Sequence, residues 1–156
     1  MIDIVIPGAG RLCLRHLVLD VNGTVAKDGR LIDGVSELLE TLRSGLDLHL
    51  VTADTQGTQE TIDRVLRLTA FCIPPENQAQ AKLNYIESLG ANDVVAIGNG
   101  ANDAAMLERA ALSILVIGPE GAAVDSLLKA KVVVSDIRAA LELLLFPKRL
   151  IATLRR

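Results

Sequence analysis

The feature that most constrains the fold is an apolar run that ends in a carboxylate. Residues 17–20 read Leu-Val-Leu-Asp, and residues 22–24, Asn-Gly-Thr, follow almost at once. A continuous apolar run is typical of a strand that is buried on both faces of a parallel sheet. Because Gly23 permits a tight turn, Asp20 is predicted to end this strand beside a crevice. The alternative is a strand that ends in a simple Asx turn.

A second apolar run leads into a glycine-rich loop. Residues 94–97 read Val-Val-Ala-Ile, and residues 98–103 read Gly-Asn-Gly-Ala-Asn-Asp. Open α/β sheets bind ligands at the carboxyl ends of their strands, so this loop and Asp20 are expected to lie close together. Thr52, at the end of a third predicted strand, and Lys82 complete one predicted site.

Strand and helix patterns alternate along the chain, which indicates a parallel sheet with helices on both faces. This three-layer, Rossmann-like α/β fold is predicted as a single domain over residues 1–156 that includes an N-terminal β-hairpin. The hairpin strands are expected at 2–6 and 11–14, and further strands at 46–51, 70–73, 93–97, 112–117 and 131–134. Helices are expected at 34–44, 56–68, 78–89, 102–111, 121–130 and 137–145, with a last helical turn or two from Pro147.

Composition narrows the class of protein. Half of the residues are apolar but only three are aromatic, so the core is expected to be aliphatic. A net charge of −3 argues against a surface that binds nucleic acid. Cys13 and Cys72 lack a metal-binding spacing and are predicted to be two buried thiols in a reducing compartment. Without a membrane span or a secretion signal in the sequence, we expect a cytoplasmic protein.

The order and spacing of these segments resemble the haloacid dehalogenase superfamily of phosphotransferases over nearly the whole chain. The family's first motif, Asp-x-Asp-Gly-Thr (Asp-Lys-Thr-Gly-Thr in ion pumps), corresponds to residues 20–24, Asp-Val-Asn-Gly-Thr. Its strand-ending Ser or Thr corresponds to Thr52, its lysine to Lys82, and its Gly-Asp-Gly-x-Asn-Asp motif to residues 98–103. Within the superfamily, the chain looks most similar to soluble proteins related to the phosphorylation domain of P-type ATPases.

This resemblance implies a Mg²⁺-dependent phosphatase with four catalytic positions. Asp20 would be the nucleophile that forms an aspartyl-phosphate. Lys82 would neutralise Asp20 and the incoming phosphate, while Thr52 and the backbone amides after Asp20 would bind phosphate oxygens. The position of Asn22 holds, in the family, an Asp that protonates the leaving group and activates water.

The resemblance also implies four ligands for Mg²⁺. These are the Asp20 carboxylate, the backbone carbonyl of Asn22, the side chain of Asn99, and Asp103 directly or through water. Asn99 stands where the family has an Asp, so the site keeps an oxygen there but loses a negative charge. Asn99 could instead only shape its turn, and Asp103 could satisfy a helix N-terminus.

The two Asp-to-Asn differences lead to two hypotheses about activity. An amide at Asn22 cannot transfer a proton, so we expect slow turnover, a preference for aryl phosphates and a long-lived phosphoenzyme. A catalytically weak protein that binds phosphate or a phosphorylated partner in a regulatory role is the alternative. A metal-free, flavodoxin-like receiver would fit Asp20 and the lysine but not the loop at 98–103.

The intervals between motifs leave no room for a cap domain. Only 27 residues separate Thr24 from Thr52, and 29 separate Thr52 from Lys82. An uncapped site is expected either to take a macromolecular substrate or to be covered in a homo-oligomer, with the N-terminal hairpin reaching the neighbour. The substrate would be a phosphorylated small molecule or a phosphoprotein.

Two residues, Lys82 and Asp54, and the segment at 147–156 can be interpreted as having roles outside the site. Lys82 could be a solvated helix lysine, because a single lysine is a weak signal. Asp54 is placed to cap the helix after Thr52. Residues 147–156 hold four basic side chains around an apolar stripe, which favours a docked amphipathic helix, with an anionic partner or membrane surface as the alternative.

Overall fold

A six-stranded parallel sheet organises the chain in the computed structural model, which describes residues 1–53 and 57–156. Its strand order is β10-β9-β8-β3-β6-β7, and every neighbouring pair is parallel. The described strands are β1 Ile2–Ile6, β2 Gly10–Leu14, β3 His16–Asp20, β4 Ala26–Lys27, β5 Arg30–Leu31, β6 Asp47–Thr52, β7 Phe71–Cys72, β8 Val94–Gly98, β9 Leu112–Val116 and β10 Val132–Val134.

Helices cover both faces of this sheet, so the predicted three-layer α/β class is confirmed. The described helices are α1 Val35–Leu42, α2 Gln59–Leu66, α3 Gln78–Leu89, α4 Ala104–Arg109, α5 Val124–Lys129, α6 Ile137–Leu145 and α7 Pro147–Leu154. Short 3-10 helices occupy Ala91–Asp93 and Ala101–Asp103. The predicted start of a helix at Gln56, and the capping role predicted for Asp54, lie outside the described residues.

The continuous apolar runs become strands because both of their faces are buried. Along β3, Leu17 and Leu19 pack into one apolar cluster with α1, α2, α6 and α7. Val18 points to the opposite face and packs into a second cluster with α3 and α4. Side chains of a strand alternate between the faces of a sheet, so a strand at the centre of three layers must be apolar at every position.

The N-terminal hairpin of β1 and β2 forms as predicted, and it packs against the chain's own last helix. Ile4 and Ile6 are buried in the same cluster as Leu150 of α7. The amide of Arg156 donates a hydrogen bond of 3.0 Å to the carbonyl of Pro7. The basic C-terminal segment therefore forms the predicted docked helix.

The cysteines and the interval after residue 24 differ from expectation. Cys13 is partly exposed and Cys72 is exposed, so the prediction of two buried thiols is wrong. Both lie on strands at the margin of the fold, since β2 belongs to the two-stranded hairpin and β7 is an edge strand of the six-stranded sheet. The interval after residue 24 holds, besides α1, a small antiparallel pair, β4 with β5, which the sequence analysis did not predict.

The described residues contain no cap domain. The interval between Thr24 and Thr52 holds only the β4–β5 pair, α1 and β6, and the described part of the next interval holds α2, β7 and the start of α3. None of the helices in the described part of the chain has the length and apolarity needed to cross a lipid bilayer.

Candidate active site

Three neighbouring strands bring the predicted site residues to one edge of the sheet. Strand β3 lies between β6 and β8, with Asp20 opposite Val51 and Leu19 opposite Ile97. Asp20 and Thr52 therefore end adjacent strands, and Asn99 follows the last residue of β8 directly. A pocket of about 210 Å³ opens at this edge, lined by Asp20, Asn22, Thr52, Ala53, Gln78, Asn99, Gly100, Asn102 and Glu120.

Lys82 joins the two carboxylates of the site. It is fully buried, and its Nζ donates hydrogen bonds of 2.6 Å to Asp20 Oδ1 and of 2.6 Å to Asp103 Oδ1. A solvated helix lysine is therefore excluded. Helix α3 places Lys82 here, and the 3.4 Å contact with Asn102 Oδ1 adds a third acceptor. Two carboxylates share one buried ammonium, so the cluster of Asp20, Lys82 and Asp103 has one more acidic than basic side chain.

The ionisation of Asp20 and Lys82 reflects this arrangement. Burial, reinforced by the nearby Asp103 carboxylate, raises the pKa of Asp20 to about 7, although Lys82 and the Thr24 hydroxyl oppose the rise. Burial acts to lower the pKa of Lys82, but its two carboxylate partners outweigh this effect and hold that pKa above its ordinary value. The buried lysine therefore stays charged.

The loop after Asp20 is closed on itself by backbone hydrogen bonds. The amide of Gly23 donates to the carbonyl of Ala26 at 2.8 Å, and that of Thr24 donates to the carbonyl of Val21 at 3.2 Å. These two amides are therefore engaged within the loop, and the sequence-based expectation that they face a phosphate does not hold for them. Gly23 has a φ of +81°, a conformation that only glycine adopts readily.

Thr24 connects the first loop to the second. Its hydroxyl is fully buried and lies 3.1 Å from Asp20 Oδ2 and 3.2 Å from Asn99 Oδ1. The side-chain amide of Asn99 is held on its other side by the carbonyl of Gly121, at 3.3 Å. Asp20 Oδ2 and Asn99 Oδ1 thus both lie within hydrogen-bond distance of the same hydroxyl, which keeps the two oxygens close together.

Asp103 is placed behind the loop rather than on the pocket wall. It is fully buried, and its Oδ2 accepts hydrogen bonds of 2.9 Å from the amides of Asn99 and Gly100. Its Oδ1 is bound to Lys82, so protein donors engage both oxygens. These contacts give Asp103 a holding role; its direct binding of a metal stays a prediction that they do not favour.

Sequence reasoning missed Gln78 and Glu120 as lining residues. Gln78 accepts a hydrogen bond of 2.8 Å from the side-chain amide of Asn102. Glu120 follows β9, the next parallel strand beyond β8, so the rule that ligands bind at carboxyl ends of strands could have identified it.

The donor set can be compared with what Mg²⁺ requires. Asp20 Oδ2 and Asn99 Oδ1 lie near the same hydroxyl. Both are hard oxygen atoms, the type of ligand that Mg²⁺ prefers. Among the described residues, no three His, Cys, Asp or Glu side chains gather as a metal cluster. A cation here would therefore be held by the Asp20 carboxylate together with amide and backbone oxygens and several waters, and Mg²⁺ commonly keeps waters in this way.

Comparison with known families agrees with the fold and the motifs. The family model for haloacid dehalogenase-like hydrolases matches residues 6–111, which contain every one of the four motif segments. The chain belongs to this family of hydrolases.

Individual relatives are similar over part or most of the chain. A protein of Methanocaldococcus jannaschii, described as uncharacterized, is 47% identical over 79 residues, which span 48% of this chain and 85% of that protein. The 3-deoxy-D-manno-octulosonate 8-phosphate phosphatase of Moraxella catarrhalis, solved in complex with a magnesium ion, a phosphate ion and a KDO molecule, superimposes with a TM-score of 0.67 at 18% identity, covering 91% of this chain and 94% of that one.

A cobalt-bound phosphatase of the same sugar phosphate from Haemophilus influenzae gives a TM-score of 0.67 at 13% identity, covering 88% of this chain and 90% of that one. At these identities, the two structures show a shared fold.

Proposed function

We propose that this chain is a Mg²⁺-dependent phosphatase in which Asp20 is the nucleophile. The observation that carries the proposal is the placement of Asp20: it ends the central strand, it lines the pocket, and its two oxygens are held by Lys82 and Thr24. A carboxylate fixed in this way is oriented for attack before a substrate arrives.

The proposed reaction has two steps. Asp20 attacks the phosphorus atom, the bond from phosphorus to the leaving oxygen breaks, and an aspartyl-phosphate forms. Water then attacks that phosphorus, inorganic phosphate leaves, and the Asp20 carboxylate is regenerated. Lys82 neutralises negative charge beside the reacting carboxylate, and Thr52, at the pocket wall, is proposed to bind a phosphate oxygen.

Asp20, Asn99 and the backbone carbonyl of Asn22 are the proposed Mg²⁺ ligands. When bound, the ion would neutralise charge on the phosphoryl oxygens. The side chain of Asn22 lines the pocket but cannot donate a proton to the leaving oxygen. Solvent must supply that proton, so we expect slow turnover and a preference for leaving groups that need no protonation, such as phenolates.

The proposed substrate is a phosphorylated small molecule or a phosphoprotein, since both can present a phosphate to this small pocket. The relatives from M. catarrhalis and H. influenzae are named for a sugar phosphate, which supports the small-molecule class. An uncapped pocket would also accept a phosphoprotein, and a homo-oligomer would cover it for a small substrate.

One observation favours a second function. Both Asp-to-Asn differences lie in the pocket, and together they remove two negative charges from it. A protein that binds phosphate or a phosphorylated partner without turning it over would need neither charge.

Hydrolysis of para-nitrophenyl phosphate distinguishes the two functions. We expect activity that requires Mg²⁺ and that falls to background in Asp20→Asn, a loss of about 10⁴-fold or more. Circular dichroism of the variant confirms that it is folded. Activity that is absent from the wild type would reject the phosphatase and leave phosphate binding, measured by calorimetry, as the function. Activity that survives in Asp20→Asn would reject Asp20 as the nucleophile.

A further inference from the structure

A tight turn after β9 presents Glu120 to the pocket. The amide of Gly121 donates a hydrogen bond of 2.9 Å to the carbonyl of Gly118, and this bond closes the turn around Pro119 and Glu120. Pro119 restricts the backbone at the first corner of the turn. Glu120 is therefore held by a short, closed segment even though its side chain is exposed to solvent.

This turn rests directly on the loop that carries Asp20. A Cβ atom added to Gly118 would lie 2.8 Å from the carbonyl oxygen of Gly23. A Cβ atom added to Gly23 would lie 2.6 Å from Glu120 Oε2 and 2.6 Å from Asn99 Nδ2. The carboxylate of Glu120 and the amide of Asn99 therefore flank a single point, which only a glycine at position 23 leaves free.

The proximity of Glu120 to Asn99 matters because few carboxylates in this pocket are available to a cation. Asn99 offers an oxygen to a cation but no charge, and Asp103 is engaged by Lys82 and two amides. Asp20 would then be the sole carboxylate among the proposed ligands. Mg²⁺ keeps several waters when it binds to proteins, and a carboxylate near the ion can bind those waters.

We propose that Glu120 is the second carboxylate of the cation site, where it accepts hydrogen bonds from water on the ion and replaces the charge that Asn99 lacks. This inference rests on the proposed Mg²⁺ site. Among the described residues, no three His, Cys, Asp or Glu side chains form a group that could hold a metal. We therefore assign Glu120 to the water shell of the ion rather than to its direct ligands.

Titration of the protein with MgCl₂ in a calorimeter, at constant ionic strength and without substrate, tests the assignment. We expect Glu120→Gln to weaken Mg²⁺ binding by about 10-fold or more, the effect typical of residues that act through a metal's ligands. Asp125→Asn is the matched control, because it removes one charge from the first turn of α5 without touching the pocket, and it should bind as the wild type does. Thermal unfolding without divalent ions verifies that both variants fold.

A rescue variant separates a local effect from a general loss of charge. Adding Asn99→Asp to Glu120→Gln returns a carboxylate to the site and should recover the lost affinity. Wild-type affinity in Glu120→Gln, or a loss of equal size in Asp125→Asn, would overturn the role of Glu120. If Asp20→Asn also leaves Mg²⁺ binding intact, or if the wild type does not bind the ion, the proposed cation site itself fails.

Discussion

Two loops with similar sequences place their carboxylates differently in this protein. Each follows an apolar central strand and combines Asn, Gly and Asp: residues 20–24 after β3, and residues 98–103 after β8. In the first loop the carboxylate of Asp20 ends the strand and lines the pocket. In the second, Asn99 lines the pocket directly after the strand ends, and the carboxylate of Asp103 turns inward to accept hydrogen bonds from two amides of its own loop.

The difference shows how position along a turn decides the role of a carboxylate. Asp20 ends its strand at the pocket wall, where the side chains of Lys82 and Thr24 hold its two oxygens. Asp103 comes several residues later, where the chain has turned and its backbone amides point back at the side chain. One carboxylate thus faces the pocket, while the other fixes the loop and the lysine that both share.

The largest expected effect on stability comes from Asp103. In Asp103→Asn, a buried ion pair with Lys82 is lost and the contacts to the Asn99 and Gly100 amides are weakened. We expect the free energy of unfolding to fall by about 3 kcal/mol, as when one partner of a buried pair is removed. Urea unfolding at pH 8 measures it. An equal loss in Asp20→Asn would show that the two carboxylates do not differ.

The next largest effect tests the chemistry of the first loop. Asn22→Asp supplies a proton donor beside Asp20 and should raise the rate on an alkyl phosphate by about 10²-fold. An aryl phosphate should gain far less, because its leaving group needs no proton. Steady-state rates on both substrates give the ratio. Equal gains on both would mean that the amide at Asn22 does not limit turnover.

The smallest effect concerns the charge of Asp20. Its folded-state pKa of about 7 lies above the ordinary value of 3.8, so the wild type loses stability as the pH rises between these values. Asp20→Asn carries no such charge. Without divalent cation, the variant should therefore be more stable than the wild type by about 1 kcal/mol at pH 8, and the gain should shrink at pH 5.5.

Paired urea titrations at the two pH values measure this difference. Magnesium should stabilise the wild type but not Asp20→Asn, because the ion binds only the folded site. A gain in the variant that is larger at pH 5.5 than at pH 8 would contradict the raised pKa of Asp20.

The main elements could be predicted from the sequence because they depend on burial. Strand β8, for example, has no polar side chain, and such a pattern indicates a buried strand whatever packs against it. The β4–β5 pair could not be predicted, since strands of two residues show no periodicity. The helix expected at 121–130 begins only at Val124, because Gly121 is left-handed, with a φ of +77°, and Ala123 is extended.

The candidate site was predictable to the extent that motif residues come from strand ends. Asp20 and Thr52 follow from that rule, and the burial of Lys82 between two carboxylates agrees with its motif. The approach of Glu120 to Gly23 depends on how the turn at Gly118 rests on another loop. No local sequence pattern encodes such a contact. The direction of the Asp103 side chain could not be predicted from the sequence either.

The ion pairs of Lys82 also bear on how the chain folds. They join residues 62 and 21 positions apart in sequence, from three separate segments of the chain. Contacts between distant segments require long loops to close, and they form after local structure. The lysine can meet both carboxylates only once β3 and β8 have paired and α3 has docked, so cation binding during refolding would report the arrival of the native topology.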